Sequence, residues 1–249
     1  MHYQFLLKNA ELLDQAMHEL QSLALHSLYT IEDDRIIIGG LGNLAGLPKL
    51  SSLINEGPET IDWHAQWAAF APNFDGQHAH FPVGDQTIKL IPGPGFGDLS
   101  HPTTQLMAKA MQATDLGQCI LDIGCGSGVL DCIAVHCNVK RFYIVDIDPE
   151  ALDHAKRNMQ LNAPHIQPIY STTIDPSWRD IETILINMIL PEQQVVFESY
   201  PFLKSFTGTW LTSGLLANQL DDYLRLTQAQ PIQIWDQDGW IALHWQKTI

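Results

Sequence analysis

The sequence predicts an α/β protein built on a doubly wound, mostly parallel sheet of seven strands, preceded by a small N-terminal α+β domain. Three observations predict it. From about Pro102 onward, helix-period and strand-period segments alternate. One apolar strand, Gln118 to Ile123, runs directly into the glycine loop Gly124-Cys125-Gly126-Ser127-Gly128, and the next strand ends on a carboxylate, Asp146. A chain of 249 residues, 45% of them hydrophobic, can bury the core of one large domain and a smaller companion.

Taken in chain order, Tyr3 to Leu7 reads as a strand, Ala10 to about Leu25 as an amphipathic helix, and Arg35-Ile36-Ile37-Ile38 as a second strand closed by Gly39-Gly40. Together they suggest a small βαβ-like module over residues 1–60. A weakly helical segment with Trp63 and Trp67 follows, then a Pro- and Gly-rich stretch from Pro72 to Pro102 that marks the connection between domains. Residues 61–91 are assigned to this connection, with two lead-in strands, His78 to Pro82 and Thr87 to Ile91. The large domain spans 92–249. Its strands are Gln118 to Ile123, Arg141 to Asp146, Ile166 to Tyr170, Thr183 to Asn187 and Thr209 to Thr212. A terminal pair, Ile232 to Trp235 and Trp240 to Trp245, flanks the turn Asp236-Gln237-Asp238-Gly239.

Charge narrows the partners. With 13 Lys+Arg against 28 Asp+Glu, the formal net charge of -15 repels phosphate backbones and favours a basic protein. No nucleic-acid binding is expected. The residues Met1 to Lys8 hold no basic run before their short apolar stretch, and later apolar runs fall short of membrane-spanning length, so no membrane partner and a cytoplasmic location are expected. Cys119, Cys125, Cys132 and Cys137 match no zinc spacing and sit along one strand, loop and helix; they read as buried packing residues, with neither a metal site nor disulfides.

The glycine loop carries the chemistry. Glycines permit positive φ and a close approach of backbone to ligand. Asp146 lies near the offset at which a doubly wound nucleotide site places a carboxylate on ribose hydroxyls. Asp148, Pro149 and Glu150 read as N-cap, first-turn proline and dipole-matched acid of the following helix. A dinucleotide site is the natural rival, but its fingerprint is G-x-G-x-x-G, whereas the loop here is G-x-G-x-G preceded by Asp122.

This version of the loop resembles that of methyltransferases using S-adenosylmethionine, and further segments resemble one family in particular, the ribosomal protein L-eleven methyltransferases (the PrmA family). Pro92-Gly93-Pro94-Gly95-Phe96-Gly97 with His101-Pro102-Thr103-Thr104 is similar to its P-G-x-A-F-G-T-G-x-H-x-T-T segment. Ile186-Asn187-Met188-Ile189-Leu190 is similar to its A-N-I-L strand end, Thr212-Ser213-Gly214-Leu215-Leu216 to its S-G-I-L turn, and Asp238-Gly239-Trp240-Ile241-Ala242-Leu243 to its closing strand. The resemblance runs from about Trp63 to the C-terminus. It implies a Rossmann-like methyltransferase sheet, S-adenosyl-L-methionine as cofactor, and a ribosomal protein substrate methylated on lysine or N-terminal amines. The expected cofactor-binding set is Phe96, Thr103, Thr104, Asp122, Gly124, Cys125, Gly126, Gly128, Asp146, Ile147 and Asn187; Asn187, at the carboxyl edge of a central strand where open α/β sheets put their ligands, is placed beside the reacting centre. Thr103 and Thr104 read equally well as helix-initiating residues. Asp98, His101 and Gly214 are substrate-side candidates. Asp98 and Leu99 stand where the family has Thr and Gly, and Asp98 is open to three roles: a contact to the cofactor amine, a contact to a lysine, or the mark of a site that no longer works. A methyltransferase with another protein or a small molecule as substrate, and a non-catalytic cofactor-binding module, are the alternatives.

Overall fold

The computed structural model describes residues 2–7, 26–32, 35–41, 59–60, 62–71, 73–97 and 100–247, with the strands before residue 61 described as backbone alone. The chain divides into two units, Met1–Gln66 and Trp67–Ile249. The first holds a four-stranded sheet of β1 (His2–Leu6), β2 (His26–Glu32), β3 (Arg35–Leu41) and β4 (Glu59–Thr60), in the order β2-β3-β1-β4. Every pairing in it is antiparallel, β2 against β3 running from His26↔Leu41 to Glu32↔Arg35. This corrects the βαβ-like expectation, which requires parallel strands. The missed strand was β2, whose Tyr29-Thr30-Ile31 run has high β-propensity. The helix expected from Ala10 to Leu25 lies outside the described residues.

Helix α1 (Trp63–Phe70) straddles the division. In the second unit β5 (Ala79–Val83) and β6 (Gln86–Leu90) form an antiparallel hairpin. Their inward residues Ala79, Val83, Ile88 and Leu90, with Trp67 and Ala71, join the core of the large sheet, so this lead-in packs as part of the second unit.

That sheet has seven strands: β7 (Cys119–Ile123), β8 (Arg141–Val145), β9 (Ile169–Ser171), β10 (Thr183–Asn187), β11 (Thr209–Leu216), β12 (Gln230–Gln237) and β13 (Trp240–Gln246). Their order is β12-β13-β11-β10-β7-β8-β9, and only β13 runs against the rest. Helices α2 (Pro102–Ala113), α3 (Val129–His136), α4 (Pro149–Asn162), α5 (Leu190–Ser199) and α6 (Leu220–Thr227) cover it. All of β7 is buried, as a strand covered on both faces must be. Ile120 faces one core with α2, α3 and α4, while Leu121 and Ile123 face the other with Leu190, Phe197 and Tyr223 of α5 and α6.

Two strands differ from expectation. β9 starts at Ile169, because Pro168 just before it offers no N–H to the ladder. β11 continues through Ser213 and Gly214, where a turn was expected; a register shift between Thr212 and Leu215 absorbs the irregularity, and Gly214 takes φ +86°. At the other end of β11, Trp210 stacks on Trp245 of β13 with ring centroids 4.7 Å apart and planes 10° apart. The Trp245 indole N–H donates to Thr212 Oγ1 at 3.0 Å, and Tyr223 OH lies 3.0 Å from the same oxygen.

Candidate functional site

The order of strands fixes where a ligand can enter. From central β7 the chain winds outward through β8 and β9, then returns to β10 on the opposite side of β7. Loops after β7 and β10 therefore diverge, opening a crevice at their carboxyl ends. Gly124, Gly126 and Gly128 take φ of +76°, +54° and +74°, all in the left-handed region. At Gly126 the requirement is double, because a Cβ there would lie 2.5 Å from Phe96 O.

The loop's backbone donors are all engaged by the protein itself. Gly124 and Cys125 N–H donate to Val145 O at 2.8 and 3.0 Å, Ser127 N–H to Phe96 O at 2.8 Å, and Gly128 N–H to Cys125 O at 2.8 Å. Gly126 N–H donates to Asp146 Oδ2 at 3.0 Å. Asp146 Oδ1 accepts from Asp148 N–H at 3.0 Å, so this carboxylate ties the loop to the start of α4. Asp148 caps α4 by accepting from Glu150 N–H at 2.9 Å, with Pro149 in the first turn.

A second segment lies against this loop. Ser127 Oγ donates to Gly97 O at 2.9 Å, and a Cβ on Gly95 would collide with the Gly126 backbone. Phe96 is 47% exposed. Its ring meets His101 edge-on at 5.5 Å, and His101 in turn meets Trp240 of β13 at 5.0 Å. His101 is the N-cap of α2: its Nδ1 accepts from Thr103 N–H at 3.3 Å and lies 2.9 Å from Thr103 Oγ1. Thr103 and Thr104 are buried, the Thr104 hydroxyl without a hydrogen-bond partner. Asp98 and Leu99 lie outside the described residues.

Asp122 sits inward of the loop. It is fully buried and faces Asp131 of α3, and among the described residues no other group offers either carboxylate a hydrogen bond. Burial pushes Asp122 up to about 7 and Asp131 well above the usual carboxylate range. A hydrogen bond between the two carboxyls, which requires one of them to keep its proton, lowers Asp122 and raises Asp131. Cys125 is buried beside them, its thiol also pushed up by burial. Ile147 is 61% exposed beside Asp146.

Across the crevice, Asn187 ends β10 and its Oδ1 is buried without a partner. The next residue, Met188, places its sulfur 2.5 Å from where a Cβ on Gly124 would sit, and its backbone is in close contact with Gly214. Gln193 knits this corner, donating through Nε2 to Met188 O at 2.6 Å and Ser213 O at 2.9 Å. Phe96 and Asp146 thus meet at Gly126, and Met188, next to Asn187, meets both Gly124 and Gly214, while Asp122 and Cys125 are buried.

Sequence reasoning missed one group. On α4, His154, Asn158 and Asn162 recur every four residues and grip the segment leading to Phe96. His154 Nε2–H donates to Ile91 O at 2.6 Å, and its Nδ1 accepts from Gly95 N–H at 3.0 Å. Asn158 accepts from Ile91 N–H and donates to Ser127 O, both at 2.8 Å. Asn162 exchanges hydrogen bonds with Lys89 N–H and O. The i, i+4, i+8 spacing of three polar residues was the available signal.

These donors and acceptors decide what fits. A pyrophosphate needs free backbone N–H groups at the glycine loop, and here each is taken by a protein acceptor. What the crevice offers instead is a carboxylate beside an exposed apolar residue, Asp146 and Ile147, and an orphaned amide oxygen, Asn187 Oδ1. That set suits a nucleoside carrying a cationic centre. Among the described residues no cluster of three or more His, Cys, Asp or Glu side chains is placed to hold a metal, and no helix is long and apolar enough to cross a membrane.

Comparison with known proteins agrees with this chemistry. A family model described as ribosomal protein L11 methyltransferase (PrmA) matches residues 14–248. A ribosomal protein L11 methyltransferase of Paraburkholderia phytofirmans is 30% identical over 220 residues, covering 84% of this chain and 73% of the relative. One from Burkholderia pseudomallei is 27% identical over 224 residues, covering 85% and 74%. Among solved structures, a ribosomal protein L11 methylase from Lactobacillus delbrueckii subsp. bulgaricus superposes with a TM-score of 0.55 at 26% identity, covering 65% of this chain and 86% of that one.

Proposed function

Because the chain belongs to the ribosomal protein L11 methyltransferase (PrmA) family, an S-adenosylmethionine-dependent methyltransferase family, we propose that it methylates amino groups of ribosomal protein L11 in the crevice between β7 and β10. The observation that carries this reading is the glycine loop, whose N–H groups are all bound to protein. Such a loop shapes a nucleoside pocket and leaves no cradle for a phosphate. S-adenosylmethionine, when bound, would supply an electrophilic methyl group on a sulfonium, and Asp146, Ile147 and Asn187 are the residues that would hold it and the acceptor amine in place.

The chain's task is alignment and exclusion of water. We assign Asp146 to the ribose hydroxyls: each of its oxygens accepts one backbone N–H, which fixes the carboxylate in place beside the glycine loop. Ile147 supplies an apolar face beside it. Asn187 Oδ1, an acceptor with nothing to accept from, orients the N–H groups of a neutral amine. Phe96, backed by His101 and Trp240, walls the entrance. No strong base is required, since a lysine of pKa ~10.4 entering a desolvated pocket loses its proton more readily. The formal charge of -15 favours a basic protein over a nucleic acid as partner, and a cytoplasmic location suits a ribosomal substrate.

Tritiated methyl transfer from S-adenosylmethionine to purified ribosomal protein L11 tests the proposal. Label on the protein's amino groups, with kcat falling at least about a hundredfold in Asn187→Ala, is the expected result. Label confined to other proteins in an extract would refute the substrate, and an unchanged kcat in the variant would refute the role of Asn187.

A further inference from the structure

Building on the cofactor reading above, we propose that His154 is a positioning residue for cofactor binding, a neutral latch that holds the Ile91–Gly97 segment down on the glycine loop. The ring bridges two backbone groups of that segment four residues apart, donating to Ile91 O at 2.6 Å and accepting from Gly95 N–H at 3.0 Å. Between them, Gly93 approaches so closely that a Cβ would lie 2.7 Å from the ring. The segment is therefore wrapped around the imidazole. Its far end makes the bonds that close the glycine loop, from Ser127 N–H to Phe96 O and from Ser127 Oγ to Gly97 O. Asn158, one turn on, ties Ile91 N–H and Ser127 O into the same assembly.

Only one protonation state can do this. The Nε2–H tautomer supplies one donor and one acceptor, whereas an imidazolium has two donors and would face Gly95 N–H with a second N–H. The surroundings favour the neutral ring: it is fully buried and its plane meets Trp67 of α1 edge-on at 5.7 Å. The wrapped segment, residues 91–97, has no ionisable side chain. From α4 itself, Arg157 and Asp153 act on the ring in opposite directions and pair with each other at 3.2 Å. Lys89 of β6 is exposed, its backbone engaged by Asn162. Burial holds the imidazole down, to about 4.

The test is calorimetry with S-adenosylhomocysteine on the full chain, wild type against His154→Leu and His154→Gln, with methyl-transfer kinetics on the same samples. We expect His154→Leu, which keeps bulk but loses both hydrogen bonds, to weaken cofactor affinity about tenfold or more and to raise the cofactor KM with kcat changed less than about twofold. His154→Gln, with one amide to donate or accept, should recover part of the loss. Equal affinity in wild type and His154→Leu overturns the proposal while leaving the cofactor reading intact; absence of binding to the wild type overturns both. If the leucine variant does not fold, nitrogen NMR of the wild-type imidazole decides. The Nε2–H tautomer, with proton exchange slowed further by saturating S-adenosylhomocysteine, is expected, and the other tautomer or exchange indifferent to ligand refutes the latch.

Discussion

Replacing Asp131 with asparagine should make the protein more stable at alkaline pH and leave it little changed near pH 5. Asp131 and Asp122 are both fully buried and, among the described residues, have only each other as hydrogen-bond partners. Burial raises Asp122 from the ordinary 3.8 to about 7, partly offset by the bond to Asp131 and reinforced by Asp146. In the unfolded chain both carboxyls titrate near their ordinary value, so between pH ~4 and ~7 the folded state holds more protons. Stability from this pair is thus fully present below about pH 4 and is lost as pH rises through about 7. At ~1.4 kcal/mol per pKa unit, the roughly three-unit rise of Asp122 sets a ceiling of about 4 kcal/mol on the loss. Burial holds Asp131 well above the usual carboxylate range, so at alkaline pH the fold must keep a proton there that the unfolded chain releases; an asparagine removes that cost while still offering an N–H to the Asp122 carboxylate. If it restores about half the ceiling, the melting temperature at pH 8 rises by about 4–8 °C, since 1 kcal/mol shifts a domain of this size by about 2–4 °C. Thermal melts of wild type and Asp131→Asn across pH 5 to 8 measure it. A difference between the two proteins that stays constant with pH would refute the shared-proton account.

Three other perturbations probe the site and its scaffold. Asp146→Ala should weaken S-adenosylmethionine binding at least about tenfold, since hydrogen bonds to a charged group contribute ~1.5–3 kcal/mol each; unchanged calorimetric affinity would remove Asp146 from the site. Gly126→Ala combines a left-handed φ with a Cβ 2.5 Å from Phe96 O, so the loop must shift, and cofactor affinity should fall more than ~1–2 kcal/mol of backbone strain alone would take from stability. Trp245→Ala, by contrast, should cost ~3–5 kcal/mol of stability through lost packing, visible as a lower denaturant midpoint.

The legible parts of this molecule were those in which local chemistry and global packing agree. Asp148-Pro149-Glu150 announces a helix start whatever surrounds it, and β10 begins at Thr183 and ends at Asn187 as its apolar run indicates. The loop with Asp146 was legible as a pair of linked signals, although its own hydrogen bonds to the Asp146 carboxylate were not, because a bond across 20 residues leaves no spacing to read. His154 was hidden for a similar reason: its partners are backbone groups of Ile91 and Gly95, which have no side-chain signature. Strand β2 was hidden because no Gly or Pro separates it from the apolar run expected to be helical before it, and the Ser213-Gly214 bulge because a Ser-Gly pair ordinarily marks a turn. Asp131 gave no sign that it would face Asp122, since an acid in a first helical turn is ordinarily a solvated partner of the helix dipole.

The stacked indoles of Trp210 and Trp245 have a practical consequence. Two aromatic chromophores stacked 4.7 Å apart in nearly parallel planes couple their electronic transitions, and a fixed twist between their in-plane transition moments gives a signed couplet in circular dichroism that a disordered pair does not. The couplet belongs to the junction of β11 with the reversed strand, on the far side of the sheet from β8 and β9. It offers an intrinsic optical marker for whether the reversed strand is seated, readable without labels and separable from any signal that follows the cofactor.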